Sequence, residues 1–310
     1  MNRTFHYDIT PTDAGVTIYT YLLRKGYSRQ NITELKKYPE SILVNGKWEY
    51  VKYILEENDV LTIRITEDAS SEKIPPVTLP LSIVYEDEDI LVLNKSSDMP
   101  IHPSLNNYRN TLANAVAAYY ESRNCPFVFR CINRLDRDTT GLTILAKHMV
   151  SASMFSRMMV HRGIKREYLA VCLGTGFPKE GTITAPIARA DGSAIERCVD
   201  FEKGEHAVTH FQKLKEWNDM TLLILWLETG RTHQIRVHMK YLGHPLVGDF
   251  LYLPDHSQGT QRTTTSIKRQ ALHAYRLTFT HPITETPMVL TAPIPEDMRA
   301  CFDFSDVSFA

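Results

Sequence analysis

The chain has 310 residues, 43% of them hydrophobic and 23% charged, with a formal net charge of −1, the profile of an ordinary folded protein of one large or two smaller domains. Its longest apolar run, Leu222 to Leu227, is too short to span a bilayer, and Met1 to Thr10 lacks the apolar core of a signal peptide, so a soluble protein with no membrane partner is expected. Five cysteines without a Cys-x-x-Cys pair argue against a zinc ribbon or a disulfide framework and place the protein in a reducing cytoplasm.

Val16, Tyr19, Leu22 and Leu23 recur at helical spacing and predict a helix from Asp13 to Lys25. Ser28 is a cap for a second helix beginning Arg29-Gln30-Asn31-Ile32. Ile42 to Lys47 reads as a strand entering an Asn45-Gly46 hairpin turn, and Asp59 to Ile65 as a closing strand with period-two alternation. Two helices, a Val44-Asn45-Gly46-Lys47 turn and a final strand resemble the small RNA-binding module first known from a small-subunit ribosomal protein, with Asn58 where that module usually has glycine. The resemblance implies RNA contacts from Arg29 and Lys47. An unrelated small α+β lobe is the competing reading of residues 1–70.

Ser70 to Pro80 is polar and carries Pro75, Pro76 and Pro80, so residues 71–80 are expected to be a linker. From 81 to 310 the pattern predicts strands at Ser82 to Asn94, Lys165 to Gly174, Ala207 to Leu214, Thr221 to Leu227 and Leu272 to Phe279. Helices are expected at Thr111 to Ser122, Met149 to Arg162 and His233 to Leu242. That mixture predicts an α+β fold, a large domain built on a mainly antiparallel sheet beside the small N-terminal α+β module. The methionines of the second helix (Met149, Met154, Met158, Met159) are expected in packing. Pro254 to Lys268 reads as a loop that meets substrate.

One segment stands out chemically: Asn133-Arg134-Leu135-Asp136-Arg137-Asp138-Thr139-Thr140-Gly141. Flanking arginines keep a carboxylate ionised, and an ionised carboxylate can act as a nucleophile. Equally, Asp136 could cap a turn with its arginines in surface ion pairs, and the segment alone leaves both readings open. From Arg123 to Arg166 nine lysines and arginines stand against two acids, a local net of +7 that attracts phosphate on an otherwise neutral chain. His233, His238 and His244 are spaced by five and six residues, whereas zinc-binding pairs on a helix need three or four, so no metal is expected.

The order of Arg134-Leu135-Asp136 with Thr139 and Gly141, Lys165-Arg166-Glu167-Tyr168-Leu169-Ala170-Val171, and Thr229-Gly230-Arg231-Thr232-His233-Gln234-Ile235-Arg236-Val237-His238 followed by Gly243-His244-Pro245 resembles the RluA family of RNA pseudouridine synthases. Gly181 to Ile187, Ala207 to Thr209, Leu272 to Ala274 and His281-Pro282 add smaller agreements, and the resemblance covers residues 81 to 298. It implies that a uridine in RNA is detached from its sugar, turned and rejoined through a ring carbon, with no cofactor because the reaction is an isomerisation.

By the same resemblance Asp136 is the essential carboxylate, attacking or deprotonating at the sugar, Arg236 is its partner, and Tyr168 stacks on the target base. Arg134 inserts where the flipped base had been. Arg137, Lys95, Lys165, Arg166 and Arg231 are expected to contact RNA, with phosphate or structural contacts as the plainer reading for Lys95 and Arg231. His233 and Gln234 are expected to be scaffold hydrogen bonders. The RNA is expected to be ribosomal, with transfer RNA second, and the enzyme a monomer. The rival reading is an RNA-binding or ribosome-assembly protein without catalysis, supported by two departures from the family pattern: Asn133 where histidine is usual, and Lys95-Ser96-Ser97-Asp98 in place of Lys-Pro-Ala-Gly.

Overall fold

A computed structural model of the chain describes residues 1–105, 107–253 and 267–309. The first seventy residues form a lobe with β1 (Asn2–Asp8), α1 (Ile18–Arg24), α2 (Arg29–Leu35), β2 (Ile42–Val44), β3 (Lys47–Trp48) and β4 (Val60–Thr66), the strands ordered β1-β4-β2-β3. Ile18, Leu22, Ile32, Leu35 and Ile63 fill its core. Helix α1 begins five residues later than its apolar spacing suggests, because Gly15 takes φ +80 and the Thr17 side chain caps the first turn by accepting from Thr20 N at 3.2 Å. Ser28 caps α2 in a reciprocal box with Asn31. Asn45 and Gly46 both have positive φ, 52° and 80°, as a two-residue hairpin turn requires. Asn58, at φ 70°, adopts the left-handed geometry that glycine would take more easily.

The larger part is built on a nine-stranded sheet: β5 (Ile83–Glu86), β6 (Ile90–Lys95), β7 (Thr140–Ala146), β8 (Ile164–Leu173), β9 (Glu180–Thr184), β12 (Val208–Trp217), β13 (Met220–Leu227), β14 (Leu272–Thr280) and β15 (Pro287–Thr291). Between β9 and β12 lies a separate ribbon, β10 (Ile187–Arg189) with β11 (Arg197–Val199). The helices are α3 (Leu112–Glu121), α4 (Met149–Val160), α5 (Gln234–Tyr241) and α6 (Glu296–Cys301). The order β5-β6-β7-β14-β8-β13-β12-β9, with β15 against β14, is antiparallel except for the short β7–β14 pairing. The stretch expected as one strand from Ser82 to Asn94 is divided by a turn, in which Asp87 Oδ1 accepts from the backbone N–H of Asp89 and Ile90 at 2.8 Å.

Strand β8 shows why the sheet is buried on both sides. Tyr168, Ala170 and Cys172 pack with Ile235 and Met239 of α5, whereas Leu169 and Val171 pack with Met298 and Phe302 of the C-terminal region. No helix among the described residues is long and apolar enough to cross a membrane.

Helix α4 lies between lobe and sheet. Met149 and Met154 pack on the lobe's core and Met158 and Met159 on the sheet's. Polar contacts cross the same junction: Arg3 holds Asp89 through Nε at 2.8 Å and Nη2 at 3.2 Å, and Arg130 holds Glu67 through two bonds of 2.9 Å. Residues 71–80 have no regular secondary structure, yet Ile74 and Leu79 pack on the α3 cluster and Val77 N donates to Asn114 O at 3.1 Å. They form a fitted strap. The substrate-loop expectation for Pro254 to Lys268 falls outside the described residues except at its end, where Ile267 is buried.

Candidate active site

Asp136 sits in the turn leading into β7, and Thr139 N donates back to its carbonyl at 3.2 Å. The turn enters a crowded place. Gly141 has φ +109, and a Cβ there would lie 2.2 Å from Ala274 O, so only glycine lets β7 run beside β14. Asn133 fastens the approach, donating from Nδ2 to Leu142 O at 3.0 Å and accepting from Ile144 N at 2.8 Å. Both hydrogen-bonding ends of this unusual residue are used.

Beneath the turn lies Lys95, and the contacts it makes are structural. It is 1% exposed, and its Nζ donates to Ser96 O at 2.7 Å and to Arg137 O at 2.8 Å. Burial pushes its ammonium down to about 7, against the opposing pull of the Asp138 and Asp136 carboxylates. The group is a tether for the backbone beside Asp136.

Helix α5 supplies the partner. Arg236 Nη1 lies 3.3 Å from Asp136 Oδ2, while Nε and Nη2 bond Asp249 at 2.7 and 2.8 Å. Asp249 was not assigned a role from sequence. The available signal was an isolated acid after Leu246-Val247-Gly248, since an acid in apolar surroundings needs a cation. Tyr252 places its ring 4.9 Å from the guanidinium carbon, and its hydroxyl lies 2.7 Å from His233 Nδ1. Gln234 ties the same helix start to β12, donating to Val208 O at 2.9 Å and to Thr209 Oγ1 at 3.0 Å.

Tyr168 enters from β8, buried, with its hydroxyl raised above the usual phenol value, chiefly by burial. Asp136, Tyr168, Arg236 and Arg134 line one cleft of about 340 Å³, within the ~300–1,000 Å³ range of small-molecule pockets. Leu135, Met159, Leu227 and Leu272 give it apolar wall, so Met159 does more than pack.

The basic residues separate by how far they are already committed. Arg137 pairs with Asp98, Arg231 with Glu205, and Lys165 with Glu167 at 2.9 Å. Arg134 is exposed, and neither it nor Arg166 has an ion pair among the described residues. Both line the cleft. Asp98 takes φ 53°, a left-handed geometry, and its carboxylate holds Arg137 Nε at 2.7 Å. Arg29 and Lys47 are exposed on the small lobe, outside the cleft. His233, His238 and His244 are held apart by separate partners: Tyr252, Thr209 with Ala185, and Leu173.

The cleft thus brings together a carboxylate held by one guanidinium, a buried tyrosine and two arginines without an ion pair among the described residues. The family model for RNA pseudouridylate synthase matches residues 89–241. The chain is 41% identical over 283 residues to "Uncharacterized RNA pseudouridine synthase YjbO" of Bacillus subtilis, covering 91% of this chain and 97% of the relative. To "Ribosomal large subunit pseudouridine synthase D" of Escherichia coli K12 it is 39% identical over 281 residues, covering 88% and 84%. The solved structure "Human RNA Pseudouridylate Synthase Domain Containing 1" superposes with a TM-score of 0.56 at 27% identity, over 73% of this chain and 89% of that one. The chain belongs to the RNA pseudouridine synthase family, in its RluA branch, and is an RNA-modifying isomerase.

Proposed function

We propose that the enzyme isomerises specific uridines in structured RNA, ribosomal RNA first, with Asp136, Arg236 and Tyr168 as its catalytic set. The observation that carries this is the single Arg236–Asp136 contact of 3.3 Å in a cleft that Tyr168 also lines. The buried guanidinium sets a positive charge beside the carboxylate that attacks or deprotonates at the sugar. The phenol offers the detached uracil a flat apolar face to turn against and a polar tip for the last proton transfer.

Reaching Asp136 requires the nucleotide to leave its stack, at a cost of roughly a few kcal/mol. Arg134, exposed and unpaired at the cleft, suits the vacated place, being planar enough to stack and charged enough to hold phosphate. The N-terminal lobe adds RNA contacts through Arg29 and Lys47. The enzyme acts as a cytoplasmic monomer without metal or cofactor. Ribosomal RNA is favoured over transfer RNA by the name of the Escherichia coli relative, a large-subunit pseudouridine synthase. A non-catalytic RNA-binding role finds no support beside an assembled Asp136, Arg236 and Tyr168.

The test is to map pseudouridines in all RNA from cells with and without this gene. Loss of one or a few sites in large-subunit ribosomal RNA is expected. Loss confined to transfer RNA would move the substrate, and an unchanged map would overturn the reading.

A further inference from the structure

We infer that a second cavity, beside the cleft, takes the base next to the target uridine along the RNA and stacks it on Trp226; this rests on the proposed seating of the uridine at Asp136. The cavity has a volume of about 190 Å³, where the cleft has about 340 Å³. Met159, Arg166 and Leu227 line both, so the two are neighbours across one wall. Arg134, on the proposed reading, fills the place the uridine leaves, and Trp226 receives one of the two bases that flanked it.

Three adjacent strands hold the aromatic side of this cavity. Thr182 of β9, His210 of β12 and Trp226 of β13 stand opposite one another in register. The imidazole and the indole are stacked, with centroids 5.5 Å apart and 17° between their planes. Both ring nitrogens of His210 are taken: Nδ1 lies 2.8 Å from Thr182 Oγ1, and Nε2 lies 2.8 Å from Glu228 Oε1. The second oxygen of Glu228 pairs at 2.7 Å with Arg162, which follows α4 in a left-handed turn at φ 57°. A half-buried indole braced in this way keeps its orientation. RNA-binding proteins stack unpaired bases on such rings, and they do so whatever the base.

The wall between the cavities carries the charge that such a path requires. Among the described residues Arg166 has no ion pair, and its buried Nε has no hydrogen-bond partner. Its neighbours in the second cavity are committed, Arg162 to Glu228 and Lys165 to Glu167. The Arg166 guanidinium reaches the rim of the cleft at Gly230, where a Cβ would stand 3.4 Å from Nη1. Consecutive nucleotides share one phosphodiester. With the uridine in the cleft and its neighbour on Trp226, that anion falls at the wall, beside the guanidinium that has no carboxylate. Planar and permanently charged, arginine is well matched to phosphate.

The probe is a short synthetic hairpin around a uridine that the enzyme converts in total RNA from cells lacking the gene. It is made intact, or with an abasic residue on the 5′ or the 3′ side of that uridine. Trp226→Ala should weaken binding of the intact hairpin about 5–100-fold, the range for one stacked base, and raise KM with kcat within about twofold. With the hairpin that is abasic on the side Trp226 holds, the same change should cost nothing further, because the stack is already gone. Trp226→Phe should restore most of the affinity, whereas Trp226→Leu, which fills the space without a π face, should not. That pair stands in if the alanine variant does not fold. Wild-type affinity of the alanine or leucine variant for the intact hairpin, or a loss as large with each abasic hairpin as with the intact one, overturns the inference. A wild-type enzyme that converts no uridine in total RNA overturns the proposed function, and with it the seating on which the second site depends.

Discussion

Arg236 Nη1 meets Asp136 Oδ2 at 3.3 Å across 100 residues of sequence, joining the turn before β7 to helix α5. Replacing Asp136 by asparagine keeps the size of the side chain and removes its charge. Turnover should fall about 10³-fold or more while RNA affinity changes little, because Asp136 is not among the groups that hold phosphate. Nucleoside mass spectrometry for pseudouridine and anisotropy with labelled RNA give the two quantities. An active Asp136→Asn enzyme would remove the catalytic assignment.

Lys95 separates a tether from a phosphate contact. Lys95→Met leaves Ser96 O and Arg137 O without their donor and loosens the backbone beside Asp136. The expected result is a kcat lowered about 10–100-fold with an unchanged salt dependence of RNA binding. A salt slope reduced by about one would mean that Lys95 meets phosphate after all.

The small lobe can be tested without removing it. Arg29→Ala with Lys47→Ala alters two exposed side chains and leaves the junction pairs Arg3–Asp89 and Arg130–Glu67 in place. Affinity should fall for all RNAs alike, and the slope of log K against log salt should shrink by about one per residue removed. Unchanged binding would mean that the lobe does not touch RNA through this face.

His273 makes acid stability measurable. It is fully buried, its Nδ1 lies 2.9 Å from Thr140 Oγ1, and burial pushes its imidazole down to about 4. The unfolded chain, with an ordinary value near ~6.5, binds the proton first. Stability is therefore full above pH ~6.5 and declines as pH falls toward 4, by about 3 kcal/mol in total. His233 and His238 are lowered by burial in the same direction. Thermal melts between pH 7 and 4.5 should show a flatter decline for His273→Gln than for the wild type. Parallel curves would show that His273 does not stay neutral.

Gly141→Ala should cost about 3 kcal/mol or more, combining a positive φ with a Cβ placed 2.2 Å from Ala274 O. Denaturant unfolding gives the figure, and a loss below about 1 kcal/mol would mean that β7 and β14 can separate without penalty.

The parts of this architecture that could be read in the sequence are those written in local spacing. Ser28 marks the start of α2 and Asn45-Gly46 the hairpin, whereas the grouping of Asp136, Tyr168 and Arg236, which line one cleft, was implied by the family resemblance and not by spacing. Strand β1 was missed because only Phe5 of its seven residues is buried, so its alternation carries little apolar signal. The burial of Lys95 was illegible because a lysine's ordinary place is the surface, and two carbonyls that sequence cannot locate hold it inside. The Asp249 grip depends on a turn at Gly248 that brings an acid back to a helix begun fourteen residues earlier, at Gln234. Spacing alone does not disclose such returns.

Glu67 accepts from Arg130 and also from the backbone N–H of Met149 at 2.9 Å, while Asn31 donates to Met149 O at 3.2 Å. The lobe is therefore bolted to the first turn of α4, whose far end reaches the cleft through Met159. Under the proposed function, an RNA held by both lobe and cleft has to present its uridine and its lobe-binding feature at one separation, so distance within the folded RNA, as much as the bases beside the uridine, becomes a criterion of selection.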